Sequence, residues 1–156
     1  MKKIPLANGN GIALVDDEDY ENVRQYKWHA SRMANGQIYA LTCLPGKKNL
    51  GMHKVVLSIP NGMCADHINR NPLDNRKKNL RLCTHLQNTW NRRKRRNGKS
   101  QFTGIYPTKS GKWLAQISPR GRCYGLGTYE SELDAAIVYN VAAQIFFGDF
   151  ACLNHV

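Results

Sequence analysis

The stretch from Asp66 to Asn88, DHINRNPLDNRKKNLRLCTHLQN, is the most informative in the chain. It opens on consecutive Asp66 and His67 and runs through turn-formers: Asn69, Asn71, Pro72, Asp74 and Asn75. Asn79 lies twelve residues after His67, and LRLCTHLQNTW then reads as a helix that carries Asn88. On a strand, neighbouring side chains point to opposite faces, so one member of the Asp-His pair can bind a metal while the other takes a proton. Hydrolysis of a phosphodiester needs an activated water, a cation at the developing negative charge and fixed geometry. The unperturbed pKa of histidine lies near neutrality, so His67 can serve as the base, and an amide such as Asn79 can hold its imidazole without changing its charge. The Asp66 carboxylate and the Asn88 amide oxygen are hard ligands, suited to Mg2+ or Mn2+ rather than Zn2+. Each residue also has an ordinary structural use. A lone histidine is usually structural, asparagines in a loop make turns, and Asn88 can cap a helix.

The charge around this stretch is lopsided. The chain has 156 residues with a formal net charge of +12. Residues 51–100 carry 12 basic and 2 acidic side chains, while 1–50 carry 7 and 5 and 101–156 carry 4 and 4. The peak is NRRKRRNGKS, where Arg92, Arg93, Lys94, Arg95, Arg96 and Lys99 crowd together. Such a run repels itself unless an anion compensates it, and nucleic acid phosphate is the usual polyanion for a basic protein. The run has no apolar residues to insert into a membrane surface, and no apolar segment approaches the roughly 18 residues of a membrane span. The opening MKKIPLANGNG lacks the apolar core of a secretory signal, so a soluble, cytoplasmic protein is expected. The five cysteines are odd in number and without a C-x-x-C pair, which speaks against a disulfide framework or a closed zinc site.

The same basic run, ending in Asn97-Gly98, reads as a domain boundary. Before it, Ile4 to Leu6 and Ile12 to Val15 are strand-like, QIYALTC is a strand, and MHKVVLSI is a short helix or strand. The acids Asp16, Asp17, Glu18, Asp19 and Glu21 suit a helix N-terminus. After it, Trp113, Ala115 and Ile117 alternate with Lys112, Leu114, Gln116 and Ser118, the period of a half-buried strand. GIYPTKSGK and RCYGLGTY add two further strands. Ser131 is an expected N-cap with Asp134 three residues on. Leu133, Ile137, Val141 and Ile145 follow at steps of four as the expected buried helix face, and Gly148 as the C-cap. The tail is thus expected to be three antiparallel strands crossed by one helix. Its bases precede residue 123 and its acids follow it, so DNA is expected on the sheet.

The segment DHINRNPLDNRKKNLRLCTHLQN resembles the HNH nuclease motif, in the ββα-metal form of phage and intron-encoded homing endonucleases. The shared parts are the Asp-His pair, the N-x-x-x-N-x-x-x-N-L run of Asn71, Asn75, Asn79 and Leu80, and the Asn on the following helix, a match over roughly residues 52–92. The resemblance implies His67 as general base, Asn79 as the residue positioning it, and Asp66 and Asn88 as holders of one divalent ion. The third position is Asn88 where the family name has His, a variant that some homing members share. No zinc-binding cysteines accompany the motif. The segment IPLANGNGIALVDDEDYENVRQYKWHA is similar to the leading part of such phage endonucleases. His53 in GMHKVVL sits at a familiar position and is read as structural.

The tail resembles the APETALA/ethylene-response-factor DNA-binding domain in TGIY, GKWLAQI, LGTY, DAAIVYNVAAQIFFG and ACLN, over residues 102–154. In that family a three-stranded sheet enters the major groove and the helix packs behind it. Tyr106, Thr108 and Ser118 occupy the positions of the base-reading arginines of the plant members. Tyr106, Lys109, Lys112, Gln116, Ser118, Arg120 and Arg122 remain expected DNA contacts, with Trp113 and Ile117 assigned to the core.

Together these readings give an α+β protein. Residues 1–91 form an N-terminal part with the nuclease motif at 52–91, residues 92–100 a basic linker, and residues 101–156 a DNA-binding domain. The expected activity is metal-dependent hydrolysis of double-stranded DNA by a monomer that nicks one strand. The rival readings are a DNA-binding transcription regulator with a relic nuclease motif and an RNA-binding protein. Neither uses the set Asp66, His67, Asn79 and Asn88.

Overall fold

A computed structural model describes residues 1–9, 11–45, 49–92 and 99–156. Arg93, Lys94, Arg95 and Arg96 of the expected linker lie outside the described residues. The chain forms two compact units, Met1–His85 and Leu86–Val156. Both mix helices with small antiparallel sheets, consistent with the α+β class. Among the described residues no helix is long and apolar enough to cross a membrane.

In the first unit, β1 (Lys2–Pro5) and β2 (Ile12–Val15) pair as a hairpin with Ile4 opposite Ala13. A short helix, α1 (Tyr20–Arg24), follows. β3 (His29–Arg32), β4 (Ile38–Thr42) and β5 (Leu50–Gly51) make a three-stranded sheet that leads into α2 (Met52–Val56). β6 (Cys64–His67) pairs with β7 (Leu80–Cys83), with a single 3-10 turn, Lys77–Asn79, just before β7. Then comes α3 (His85–Trp90), whose residues from Leu86 onward belong to the second unit. The core gathers Ile4, Leu6, Ala13, Val15, Val23, Trp28, Ala40, Met52, Val56 and Leu80. The buried Trp28 indole N–H donates to the Val23 carbonyl at 2.8 Å, so a large apolar ring enters the core without an orphaned donor.

Two expectations for this unit need correction. The acids before α1 do not cap it: Asp19 occupies the N-cap position but makes no side-chain cap bond. Asp16 instead accepts from the Lys77 backbone N–H at 2.7 Å, and Glu18 and Asp19 pair with the Lys77 ammonium. Carboxylates this close to a basic turn have a stronger partner there than in the half-charge of a five-residue helix. LRLCTHLQNTW is likewise not one helix. Its first four residues form β7, because Leu80 to Cys83 find a complete antiparallel ladder in Cys64 to His67. A helix starts only at His85.

The second unit follows its sequence pattern closely in the sheet. β8 (Ile105–Pro107), β9 (Trp113–Ile117) and β10 (Tyr124–Tyr129) form an antiparallel sheet in the order β10-β9-β8. α4 (Glu132–Phe147) lies across it. Ser131 caps α4, its hydroxyl accepting from the N–H groups of Leu133 (3.1 Å) and Asp134 (3.5 Å). Ala115 and Ile117 are buried against the helix and Trp113 is half-buried beside it.

The face of α4 is where the pattern misleads. Leu133, Ile137, Val141 and Ile145 are all exposed, Ile145 by 76%. The buried face is Ala135, Ala136, Tyr139, Ala142, Ala143 and Phe147. Four alanines let the helix backbone approach a thin sheet closely, while Tyr139 and Phe147 supply the bulk. Gly104 completes the fit: at φ +76 its missing Cβ leaves room for the Tyr139 ring and for the Gln116 carbonyl 2.6 Å from where a Cβ would stand.

This packing predicts an inverted tolerance. Ile145→Lys should change stability by less than about 0.5 kcal/mol, whereas Ala143→Leu should cost about 1–3 kcal/mol by overpacking. Ser131→Ala should cost about 1 kcal/mol through the lost cap. Thermal melts of the three variants check the order.

Candidate active site

The β6–β7 hairpin sets out the chemistry. Asp66 stands opposite Arg81 across the ladder, and the guanidinium donates to Asp66 Oδ2 through Nε (2.8 Å) and Nη2 (2.6 Å). His67, the next residue, points to the other face. Both are nearly withdrawn from solvent, at 5% and 6% exposure.

Between the strands, residues 68–79 have little regular structure to satisfy their backbone, and asparagine and aspartate side chains take that role. Asn69 Oδ1 accepts from the Asn71 N–H and Asn71 Oδ1 from the Leu73 N–H. Asp74 accepts from Asn69 Nδ2 at 2.8 Å and from the Arg76 fork, both bonds at 2.6 Å. That fork holds the Asp74 carboxyl below its ordinary range. The amide of Asn79 closes the loop, donating to the Asp74 carbonyl at 2.7 Å and accepting from the Asn69 N–H at 2.9 Å. β2 braces the loop from outside: Leu14 donates to the Leu73 carbonyl and accepts from the Asn75 N–H.

Asn79, expected to hold the imidazole, thus has both ends of its amide on loop backbone. The side chain against the ring is Asn75, whose Oδ1 lies 3.3 Å from His67 Nε2. Asn75 was legible only as a turn residue, because an asparagine in a loop gives no sequence sign of which group it will face. The ring also meets Tyr39 and His53 edge-on, with centroids 6.0 and 5.6 Å away. Burial lowers the His67 pKa, against raising contributions from the Asn75 bond, Asp66 and Asp74. The ring is therefore neutral near pH 7 and able to accept a proton. Burial first, then His67 and Lys54, pulls His53 down to about 4.

Asp66, His67 and Asn79 are thus gathered in the first unit, while Asn88 lies on the α3 segment assigned to the second. Among the described residues no group of three or more His, Cys, Asp or Glu side chains could hold a metal ion. Of the expected DNA contacts, Tyr106 pairs in register with Leu114, and Gln116 lies two residues further along β9. Both therefore share the sheet face turned from α4. Tyr106, Gln116, Ser118 and Arg120 line one cleft of about 300 Å³ together with Arg92. Arg120 holds a left-handed backbone at φ +52, a conformation that costs a non-glycine residue roughly 1–2 kcal/mol. Lys109 and Arg122 are exposed, and Lys112 is ion-paired with Glu130.

A family model described as HNH endonuclease matches residues 58–89, which take in the hairpin, its loop and most of α3. An uncharacterised HNH endonuclease of Acanthamoeba polyphaga mimivirus is 30% identical over 158 residues, covering 97% of this chain and 79% of that protein. The chain belongs to the HNH endonuclease family. Protein 3.8 of Escherichia phage T7 is 28% identical to this HNH protein over 94 residues, 60% of the chain and 77% of that protein. A dehydration-responsive element-binding protein of Arabidopsis thaliana is 38% identical over 60 residues, 37% of the chain and 18% of that protein. No solved structure matches the chain.

The buried His67 and the half-buried His53 of this HNH unit make its stability depend on pH. The unfolded chain binds the His53 proton near pH 6.5 and the folded chain only near pH 4. Stability is therefore full above about pH 6.5 and falls as the pH drops toward 4, with His67 acting in the same direction. Urea unfolding at pH 7 and pH 5 should differ by roughly 2 kcal/mol, and His53→Gln should shrink that difference.

Proposed function

We propose that this HNH protein is a metal-dependent endonuclease that nicks double-stranded DNA, with His67 as the general base. The observation that carries the reading is the adjacent, buried and oppositely directed pair Asp66 and His67, its imidazole kept neutral by burial and fixed by a loop that satisfies its own backbone. His67 takes the proton of the attacking water. Asn79 holds the loop that orients it. Asp66 and Asn88 are the residues that would hold one Mg2+ or Mn2+. Their donor atoms are all oxygen, which fits a hard ion that keeps several waters, and Arg81 fixes the Asp66 carboxylate from one side. When bound, such an ion supplies positive charge to the phosphate and its leaving oxygen.

DNA is held in two ways on this reading. The run Arg92, Arg93, Lys94, Arg95 and Arg96 supplies charge to the phosphates. The β8–β10 sheet supplies register through Tyr106, Lys109, Lys112, Gln116, Ser118, Arg120 and Arg122, as an APETALA/ethylene-response-factor-like module. The match over 60 residues to the Arabidopsis dehydration-responsive element-binding protein supports that second part.

His67→Ala should lower cleavage by at least roughly 100-fold with DNA affinity nearly unchanged, measured by plasmid nicking beside a binding titration. A wild-type rate in that variant removes His67 as the base. Replacing Arg92, Arg93, Arg95 and Arg96 by Ala should flatten the log–log salt dependence of binding by up to roughly four units, since each phosphate contact contributes about 0.9. An unchanged slope would place the phosphate contacts elsewhere.

A further inference from the structure

We infer that Asn75 is the positioning residue that selects the reactive nitrogen of His67, leaving Nδ1 as the atom that receives the proton. The inference rests on the reading of His67 as general base and names a residue and an atom which that reading leaves open.

Asn75 is only 1% exposed, among the most buried polar side chains of the chain. Its amide cannot be turned around without loss, because Nδ2 donates to the Pro72 carbonyl at 3.4 Å. A carbonyl only accepts, so the amide nitrogen must face Pro72 and the amide oxygen must face the ring. Oδ1 lies 3.3 Å from His67 Nε2. An amide oxygen also only accepts, so Nε2 carries the hydrogen and the neutral ring keeps its lone pair on Nδ1.

The anchor is rigid. The Asn75 backbone N–H donates to the Leu14 carbonyl of β2 at 2.8 Å, and the adjacent Asp74 is held by Arg76, Asn69 and Asn79. The N-terminal hairpin therefore reaches the base through one residue, which gives the first fifteen residues a part in the reaction. A neutral amide suits this role better than a carboxylate. It adds no negative charge beside the ring, which burial keeps uncharged before reaction, and its Nε2–H bond strengthens once Nδ1 takes the proton and the ring becomes cationic. That differential favours the transition state over the ground state.

The test joins a ring-specific signature to kinetics on the full chain. Nitrogen-15 spectra of labelled histidine distinguish a protonated Nε2 from a protonated Nδ1. The wild type should show His67 protonated at Nε2. Asn75→Ala should mix the tautomers and lower the single-turnover cleavage rate roughly 10- to 100-fold, with DNA affinity unchanged. Asn75→Asp, which keeps an oxygen acceptor and guards against a folding defect in the alanine variant, should restore the Nε2–H form and part of the rate. A wild-type ring protonated at Nδ1, or an alanine variant with unaltered tautomer and rate, overturns the assignment. A changed tautomer with an unchanged rate overturns the underlying reading instead, because His67 would then not be the base.

Discussion

Twelve residues between two short strands have to satisfy their own backbone groups, and everything at the candidate active site depends on how they do it. Orphaned N–H and C=O groups are costly where a loop is buried, as this one is at Pro72, Asp74, Asn75 and Asn79, and residues 68–79 have only one 3-10 turn of regular structure to offer. The side chains of Asn69, Asn71, Asp74 and Asn79 close the bonds, with Asp74 at the centre under the Arg76 fork. Leu14 and Asp16 then tie the loop to the N-terminal segment. The result is a fixed arc that delivers His67 on one strand and Asn79 beside the other. This requirement explains the abundance of asparagine, whose amide can donate and accept at once and adds no charge next to the buried His67 ring.

Where side chains bond to neighbours in sequence or alternate along a strand, the sequence was readable. The Ser131 cap, the β9 alternation and the antiparallel three-strand unit all come from local rules. Where the outcome depends on distant partners, it was not. Leu80 to Cys83 are apolar enough for a helix, and only their ladder with Cys64 to His67 makes them a strand. The acids from Asp16 to Asp19 look like helix caps until Lys77, far along the chain, takes them. On α4 the large aliphatic residues formed the more conspicuous stripe, yet the helix turns its alanines inward, because approach distance to a thin sheet decided the face rather than hydrophobicity. At the site, Asp66, His67 and Asn79 could be named from spacing and resemblance, whereas the contact of Asn75 with the ring depends on the loop's path.

The charge distribution and the site point the same way. Most of the net +12 lies in residues 51–100, the stretch that holds the buried Asp66–His67 pair, and on the proposed reading the polyanion drawn to those bases is the substrate of that pair. The tail unit adds a sheet face bearing Tyr106 and Gln116 with little net charge of its own, which suits register more than attraction. On that reading, attraction, register and chemistry fall to different parts of one short chain.

That such a chain cuts DNA with the help of a hard divalent ion is tested by incubating the purified full-length protein with supercoiled plasmid, in Mg2+ and in EDTA, and resolving the topoisomers. Conversion to the open-circular form is expected in Mg2+, and intact supercoils in EDTA. Plasmid that is bound yet stays supercoiled in both Mg2+ and Mn2+ would contradict the proposed activity.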